Sequence, residues 1–171
     1  MLSSLFTSLL GLAAAASALP TTKLSARSAN NTAPTAPALA YLFTLYLEDG
    51  TLTDLGSTPL GTQVFEPVQG GSFTGPAIEG TVIGGLDIGM QDTNGEFNPN
   101  VVALLQTSDG CTILARETGH SPNVFLTFET ACSAYNYLNY VVAYGYVARV
   151  DTEEVSVEVW QGDLTDFLSR L

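Results

Sequence analysis

Pro67–Gly85, PVQGGSFTGPAIEGTVIGG, is the stretch whose reading decides the fold. Glycines, together with Pro67 and Pro76, interrupt short runs of apolar and β-branched residues. Glycine reaches positive φ without steric cost and proline withdraws a ladder donor, so this is the composition of strands joined by tight turns and bulges. The runs on either side also read as strands. The stretch therefore starts a closed or strongly curved sheet, and it holds no catalytic signature.

Upstream, Tyr41–Glu48 (YLFTLYLE) is a β-rich run ended by Asp49-Gly50, a hairpin dipeptide. A loop through Gly56, Pro59 and Gly61 leads to a strand around Gln63–Pro67, then to short strands near Ser72–Thr74, Ala77–Ile83 and Asp87–Gln91. Downstream, Thr93-Asn94-Gly95-Glu96 makes a turn, and strands follow at Val101–Thr107, Cys111–Thr118, Val124–Thr130, Asn139–Val150 and Val155–Gln161. Ser133–Leu138 reads as a helical turn. Strands this frequent, with almost no helix, predict an all-β fold: a single antiparallel β-barrel of about eight or more strands, closed like a calycin or an outer-membrane protein. Asp163-Leu164-Thr165-Asp166 resembles a capping box ahead of Phe167, Leu168 and Leu171, which predicts a short C-terminal helix lying on the barrel or closing one mouth.

Charge narrows the function. The 171 residues carry 17 acids against 5 bases, a formal net of −12. All the acids lie from Glu48 onward, whereas Lys23 and Arg27 precede the domain, leaving it Arg116, Arg149 and Arg170. Nucleic acid is excluded as a partner because phosphate binding needs a basic face; an anionic membrane surface is disfavoured for the same reason.

Leu5–Ala16 is an apolar run of signal-peptide length, followed by the small-residue cleavage pattern Ala16-Ser17-Ala18, so residues 1–18 read as a secretory signal. The run is too short to span a bilayer as a helix, and its start lacks the usual basic residue. Residues 19–38, rich in Ser, Thr, Ala and Pro, read as a flexible leader. They carry the sequon Asn30-Asn31-Thr32, which makes Asn30 a glycosylation candidate. The barrel domain then spans 39–171, and the expected location is secreted and extracellular.

Cys111 and Cys132 suit an oxidising compartment. A hairpin of Cys111–Thr118 with Val124–Thr130, centred on Ser121-Pro122, puts these two cysteines opposite each other, where a cross-strand bridge is possible. That register sorts the side chains. Ile113, Ala115, Val124, Leu126 and Phe128 share a face with Glu117, while Leu114, Arg116, Phe125, Thr127 and Glu129 share the other. The more apolar face is expected inside, which makes Glu117 an acid pointing inward and Arg116–Glu129 an external diagonal pair. An inverted sheet would instead line a polar cavity with Arg116 and Glu129.

In order, Pro67 with Gly70, Gly71, Phe73, Gly75 and Pro76 is followed by Gly80 and Val82, by Gly84, Gly85 and Asp87, and by Thr107, Asp109 and Gly110. Phe128-Glu129-Thr130 and Tyr135, Leu138 and Asn139 complete the series. The ordered set resembles the domain-of-unknown-function 3237 family and spans roughly residues 41–160. The resemblance implies an antiparallel β-barrel open at one end, often self-associating, and implies no reaction. Two departures stand out: Ile88 where many relatives have Trp, and Asn100-Val101-Val102 where a basic residue and an aromatic are expected.

His120 is the only histidine, which excludes a His-rich metal site, and no serine sits in a nucleophile elbow. It is either a solvated loop residue or a general base at the barrel mouth. Asp87, behind Gly84-Gly85, is either a turn carboxylate or an acid–base group inside the barrel. The catalytic candidates are thus Asp87, Glu117, Glu129 and His120, and the ligand-contact candidates are Phe73, Arg116, Tyr135 and Asn139. No phosphate loop or calcium loop is present in the sequence, and no cofactor or metal is expected. Three functions stay open: a barrel binding a small apolar or aromatic molecule, an acid–base isomerase, cyclase or hydratase acting on a secondary metabolite, and an interaction protein, such as a homodimer, with no cavity.

Overall fold

A computed structural model describes residues 36–150 and 154–163. In chain order the strands are β1 (Leu39–Asp49), β2 (Thr53–Thr58), β3 (Gly61–Thr74), β4 (Glu79–Asp87), β5 (Met90–Gln91), β6 (Phe97–Asn98), β7 (Asn100–Thr107), β8 (Thr112–His120), β9 (Asn123–Glu129), β10 (Val142–Val150) and β11 (Glu154–Gly162). A 3-10 helix, Ser133–Tyr140, lies between β9 and β10.

Eight of these strands close a ring. The antiparallel order β1-β11-β10-β9-β8-β7-β4-β3 returns from β3 to β1, so each strand in the ring has two hydrogen-bonded neighbours. The all-β barrel expected from strand spacing is the architecture observed. Strands β2, β5 and β6 stand outside the ring as a small second sheet carried by the first residues of β3.

Some local readings are corrected. Gln63–Pro67 and Ser72–Thr74 are parts of one 14-residue strand, β3, which runs through Pro67 and Gly70-Gly71 without ending. The strands expected at Ala77–Ile83 and Asp87–Gln91 are instead β4 and the two-residue β5. The loop expected through Gly56 is largely strand, β2, paired to β3. The helical turn continues to Tyr140, so β10 begins at Val142 rather than Asn139. The signal segment, Asn30 and the C-terminal helix fall outside the described residues.

The seam between β1 and β3 depends on Gly71. Its φ is +134°, and a Cβ there would sit 2.0 Å from the Tyr46 carbonyl oxygen, so no other residue lets the two backbones meet in this register. Strand alternation then fills the interior. Leu45 and Leu47 of β1, Ile113 and Ala115 of β8, Val124, Leu126 and Phe128 of β9, and Val157 and Val159 of β11 are all buried. Phe43 contacts Phe73 and Phe128 edge-on, with centroids 5.6 and 5.9 Å apart.

The β8–β9 register is the one the cysteines imply: Ala115 opposes Phe128 and Glu117 opposes Leu126. The apolar face of this hairpin points inward. Cys111 and Cys132 form a disulfide with Cα atoms 5.9 Å apart. At this end of the barrel Leu138 of the 3-10 helix is fully buried in the core, and the Asn139 side chain ties the helix to the backbone of Thr130, accepting at 2.9 Å and donating at 3.0 Å.

Candidate active site

The opposite end holds a cavity of about 350 Å³. Four carboxylates line it, each placed by strand register: Asp49 at the end of β1, Glu66 in β3, Asp87 at the end of β4 and Glu117 in β8. Glu66 is the direct cross-strand partner of Asp87. Asp87 pairs with Val101, which pairs with Glu117, so the two acids flank one valine on the same face. With strands about 4.8 Å apart, Asp87 and Glu117 start from backbones about 10 Å apart. The rest of the wall is mostly apolar, with Leu47, Val68, Val101, Val147 and Val155 contributing. No Lys, Arg or His lines the cavity among the described residues.

Glycine again permits the geometry. A Cβ at Gly85 would lie 2.4 Å from the carbonyl oxygen of Val102 on β7. The close β4–β7 approach therefore needs glycine two residues before Asp87, which explains the Gly84-Gly85-Leu86-Asp87 order.

The four acids are electrostatically unequal. Glu117 is 5% exposed, and burial, followed by repulsion from Asp87, pushes its pKa up to about 7. Its Oε2 has no hydrogen-bond partner among the described residues. Asp87 is also buried, which raises its pKa, but its Oδ1 accepts the Asn100 N–H at 2.8 Å, which holds the rise back. Burial, then Glu66 and Asp87, raises Asp49 to about 6. Burial and Asp87 likewise raise Glu66. Asp87 thus acts on all three of its neighbours. An acid that holds its proton up to about pH 7 and a hydrogen-bonded carboxylate two strands away on the same face form the pairing that acid–base chemistry requires.

Of the residues singled out from the sequence, the structure brings Asp87 and Glu117 into this cavity. Glu129 and Arg116 are exposed on the outside of the barrel, and no ion pair joins them among the described residues. His120 sits at the β8–β9 turn near the cavity end but does not line the cavity; its Nδ1 meets Asn98 Oδ1. Phe73 is fully buried in the core. Tyr135 and Asn139 belong to the far end, where the Tyr135 hydroxyl donates to the Asp109 carboxylate at 3.2 Å.

Asp49 and Glu66 are the site residues that sequence reading passed over. A signal existed for both: Asp49 continues the inward series Leu45, Leu47, and Glu66 lies between the buried Val64 and Val68 on the same face of β3. Asp49-Gly50 was masked by its resemblance to a turn dipeptide, and Glu66 by the proline that follows it.

The sequence profile of a family described as protein of unknown function, DUF3237, matches residues 37–124. The chain is 34% identical over 128 residues to the hydroalkoxylation enzyme phnH of Penicillium herquei, an alignment covering 75% of this chain and 85% of that protein. The crystal structure of an enzyme from Penicillium herquei superposes with a TM-score of 0.70 at 31% identity, covering 77% of this chain and 98% of the other. A β-barrel-like protein from Acinetobacter baumannii, 22% identical, shares the fold with a TM-score of 0.71 over 77% of this chain and 99% of its own.

Proposed function

The chain belongs to the DUF3237 family of proteins of unknown function, and on that premise we propose that its barrel is an acid–base enzyme that closes a ring in a small secondary metabolite by adding an O–H group across a carbon–carbon double bond. The observation that carries this reading is Glu117: a buried acid that holds its proton up to about pH 7, whose Oε2 has no partner among the described residues, beside a second carboxylate in a mostly apolar cavity. The likeness to a protein named as a hydroalkoxylation enzyme supports the choice of reaction.

In this mechanism the Glu117 carboxyl delivers its proton to one alkene carbon, and positive charge develops on the other. The hydroxyl oxygen attacks that carbon, the π bond is replaced by one C–H and one C–O bond, and the Asp87 carboxylate takes the hydroxyl proton. No electrons are gained or lost overall, and the proton taken by Asp87 returns to Glu117 to reset the site. Until it takes that proton, the Asp87 carboxylate stabilises the positive charge as it develops. The apolar wall keeps bulk water from competing as the nucleophile. The disulfide and the apolar N-terminal run support export of the enzyme to an oxidising compartment.

The test is incubation with alkenyl phenols such as 2-(3-methylbut-2-enyl)phenol in deuterated buffer, followed by mass spectrometry and NMR. Enzymatic formation of a cyclic ether carrying one carbon-bound deuterium is expected, and Glu117→Gln should slow it by roughly 10²–10⁴-fold. If alkenyl phenols and alkenyl alcohols bind but none cyclises at any pH from 4.5 to 8, the barrel is a binding protein and the catalytic reading fails.

A further inference from the structure

The mechanism above uses Glu117 and Asp87 and leaves Asp49 and Glu66 without a task. Both line the same cavity, one on each side of the β1–β3 seam. Neither position is demanded by the fold, since an apolar residue there would continue the inward series of its strand. Placing four acids on one cavity wall raises the electrostatic cost of the folded state, because directly opposed like charges such as Glu66 and Asp87 repel. No cation among the described residues lines the cavity to cancel them. Among the described residues Arg116 faces outward, and Arg149, exposed beyond the cavity-lining Val147, is 3.9 Å from Glu154. His120 is engaged with Asn98 outside the cavity. The buried Glu117 carboxyl lines the same cavity, and its Oε2 has no hydrogen-bond partner among the described residues.

We propose that Asp49 and Glu66 are specificity-determining residues that bar anionic molecules from the cavity and so restrict its substrates to molecules entering uncharged or positively charged. An anion brought inside would meet up to four carboxylates and, among the described residues, no cation, in surroundings less polar than water, where each repulsion is stronger than in bulk solvent. For the cyclisation proposed above, on which this inference rests, the consequence is specific: a phenolic nucleophile enters with its proton on and loses it only inside, to Asp87. A substrate carrying a carboxylate, sulfate or phosphate is turned away.

The experiment compares three probes of one shape at pH 8, above the values of about 6 for Asp49 and about 7 for Glu117: 2-naphthol, 2-naphthoate and 2-naphthylmethylammonium, with binding read by calorimetry on the intact protein. The neutral and cationic probes are expected to bind, and the anion to bind at least roughly tenfold more weakly than 2-naphthol. In the Asp49→Asn/Glu66→Gln variant the anion should recover most of that deficit, while 2-naphthol changes less than threefold. The substitutions remove like-charge repulsion, so the variant is expected to fold. Equal binding of 2-naphthoate and 2-naphthol by the wild type would overturn the proposal, as would failure of both 2-naphthol and the ammonium probe to bind, or unchanged discrimination in the variant. Because the readout is binding alone, it separates from the catalytic question: anion exclusion without cyclisation leaves the filter standing and removes the reaction, and cyclisation without exclusion does the reverse.

Discussion

Replacing Glu117 by Gln should change how the stability of this barrel depends on pH, and the size of the change follows from the burial of one carboxyl. In the unfolded chain this glutamate titrates near its ordinary value of 4.5, and in the barrel it titrates at about 7. The folded state therefore holds the proton more tightly than the unfolded state. Below pH 4.5 both states are protonated and the group has no pH-dependent effect. As pH rises through this window the unfolded state loses its proton first, so stability falls, and the loss is complete above about pH 7. At 1.36 kcal/mol per pH unit the gap is worth about 3 kcal/mol. Glutamine never ionises and escapes that loss, but its buried amide must find partners or carry a constant cost of about 1–3 kcal/mol. The variant is thus expected to equal or trail the wild type at pH 4.5 and to gain on it by about 3 kcal/mol between pH 4.5 and 8. Urea denaturation of both proteins across that range measures the difference directly, and contributions from Asp49 and Glu66 largely cancel in the comparison. In thermal unfolding the same change amounts to a swing of roughly 10 °C. Wild-type and variant stability curves that run parallel from pH 4.5 to 8 would refute the burial argument and, with it, the protonated acid that the mechanism needs.

Two further outcomes follow from the same geometry. Turnover of an alkenyl phenol should decline as pH rises through about 7, where Glu117 gives up its proton, and Glu117→Gln should abolish that limb of the rate profile; a pH–rate series on both proteins checks it. The double variant Cys111→Ser/Cys132→Ser opens a loop closed over 21 residues of sequence and should lose about 3 kcal/mol by denaturation. Its affinity for 2-naphthol should hold, because the bridge lies at the end of the barrel away from the cavity.

Local patterns revealed some of this molecule better than others. The β8–β9 hairpin was legible because two cysteines and a Ser-Pro turn fix its register, and the inward position of Glu117 follows from that register by parity alone. Strands β7, β10 and β11 were visible as β-branched runs within a few residues of their ends. The closure of β1 on β3 was not, because pairing between strands distant in sequence leaves no local trace, and Gly70-Gly71 looked like a strand end. That hidden pairing also concealed half of the site. Asp49 and Glu66 become neighbours only across the seam, whereas Asp87 and Glu117 are joined through β7, whose partners are easier to guess. Glu129 was always on the outward parity of its own strand, and His120 drew notice for being the sole imidazole rather than for its place in the fold.

The ring is completed by its first and last strands. Leu39 pairs with Gly162, Glu48 pairs with Glu154, and the Asp163 N–H donates to the Ala38 carbonyl at 2.9 Å. The hairpins β7–β8, β8–β9 and β10–β11 can form from segments close together in the chain. The β1–β11 ladder must bring the two ends of the domain together before it yields any hydrogen bond. Until then β1 and β11 each present an unpaired edge, the kind of surface that invites pairing with another chain. Closure of the barrel is therefore both a slow, non-local event in folding and the step that ends the exposure of its edges, and a chain lacking either terminal strand would keep two sticky edges instead of none.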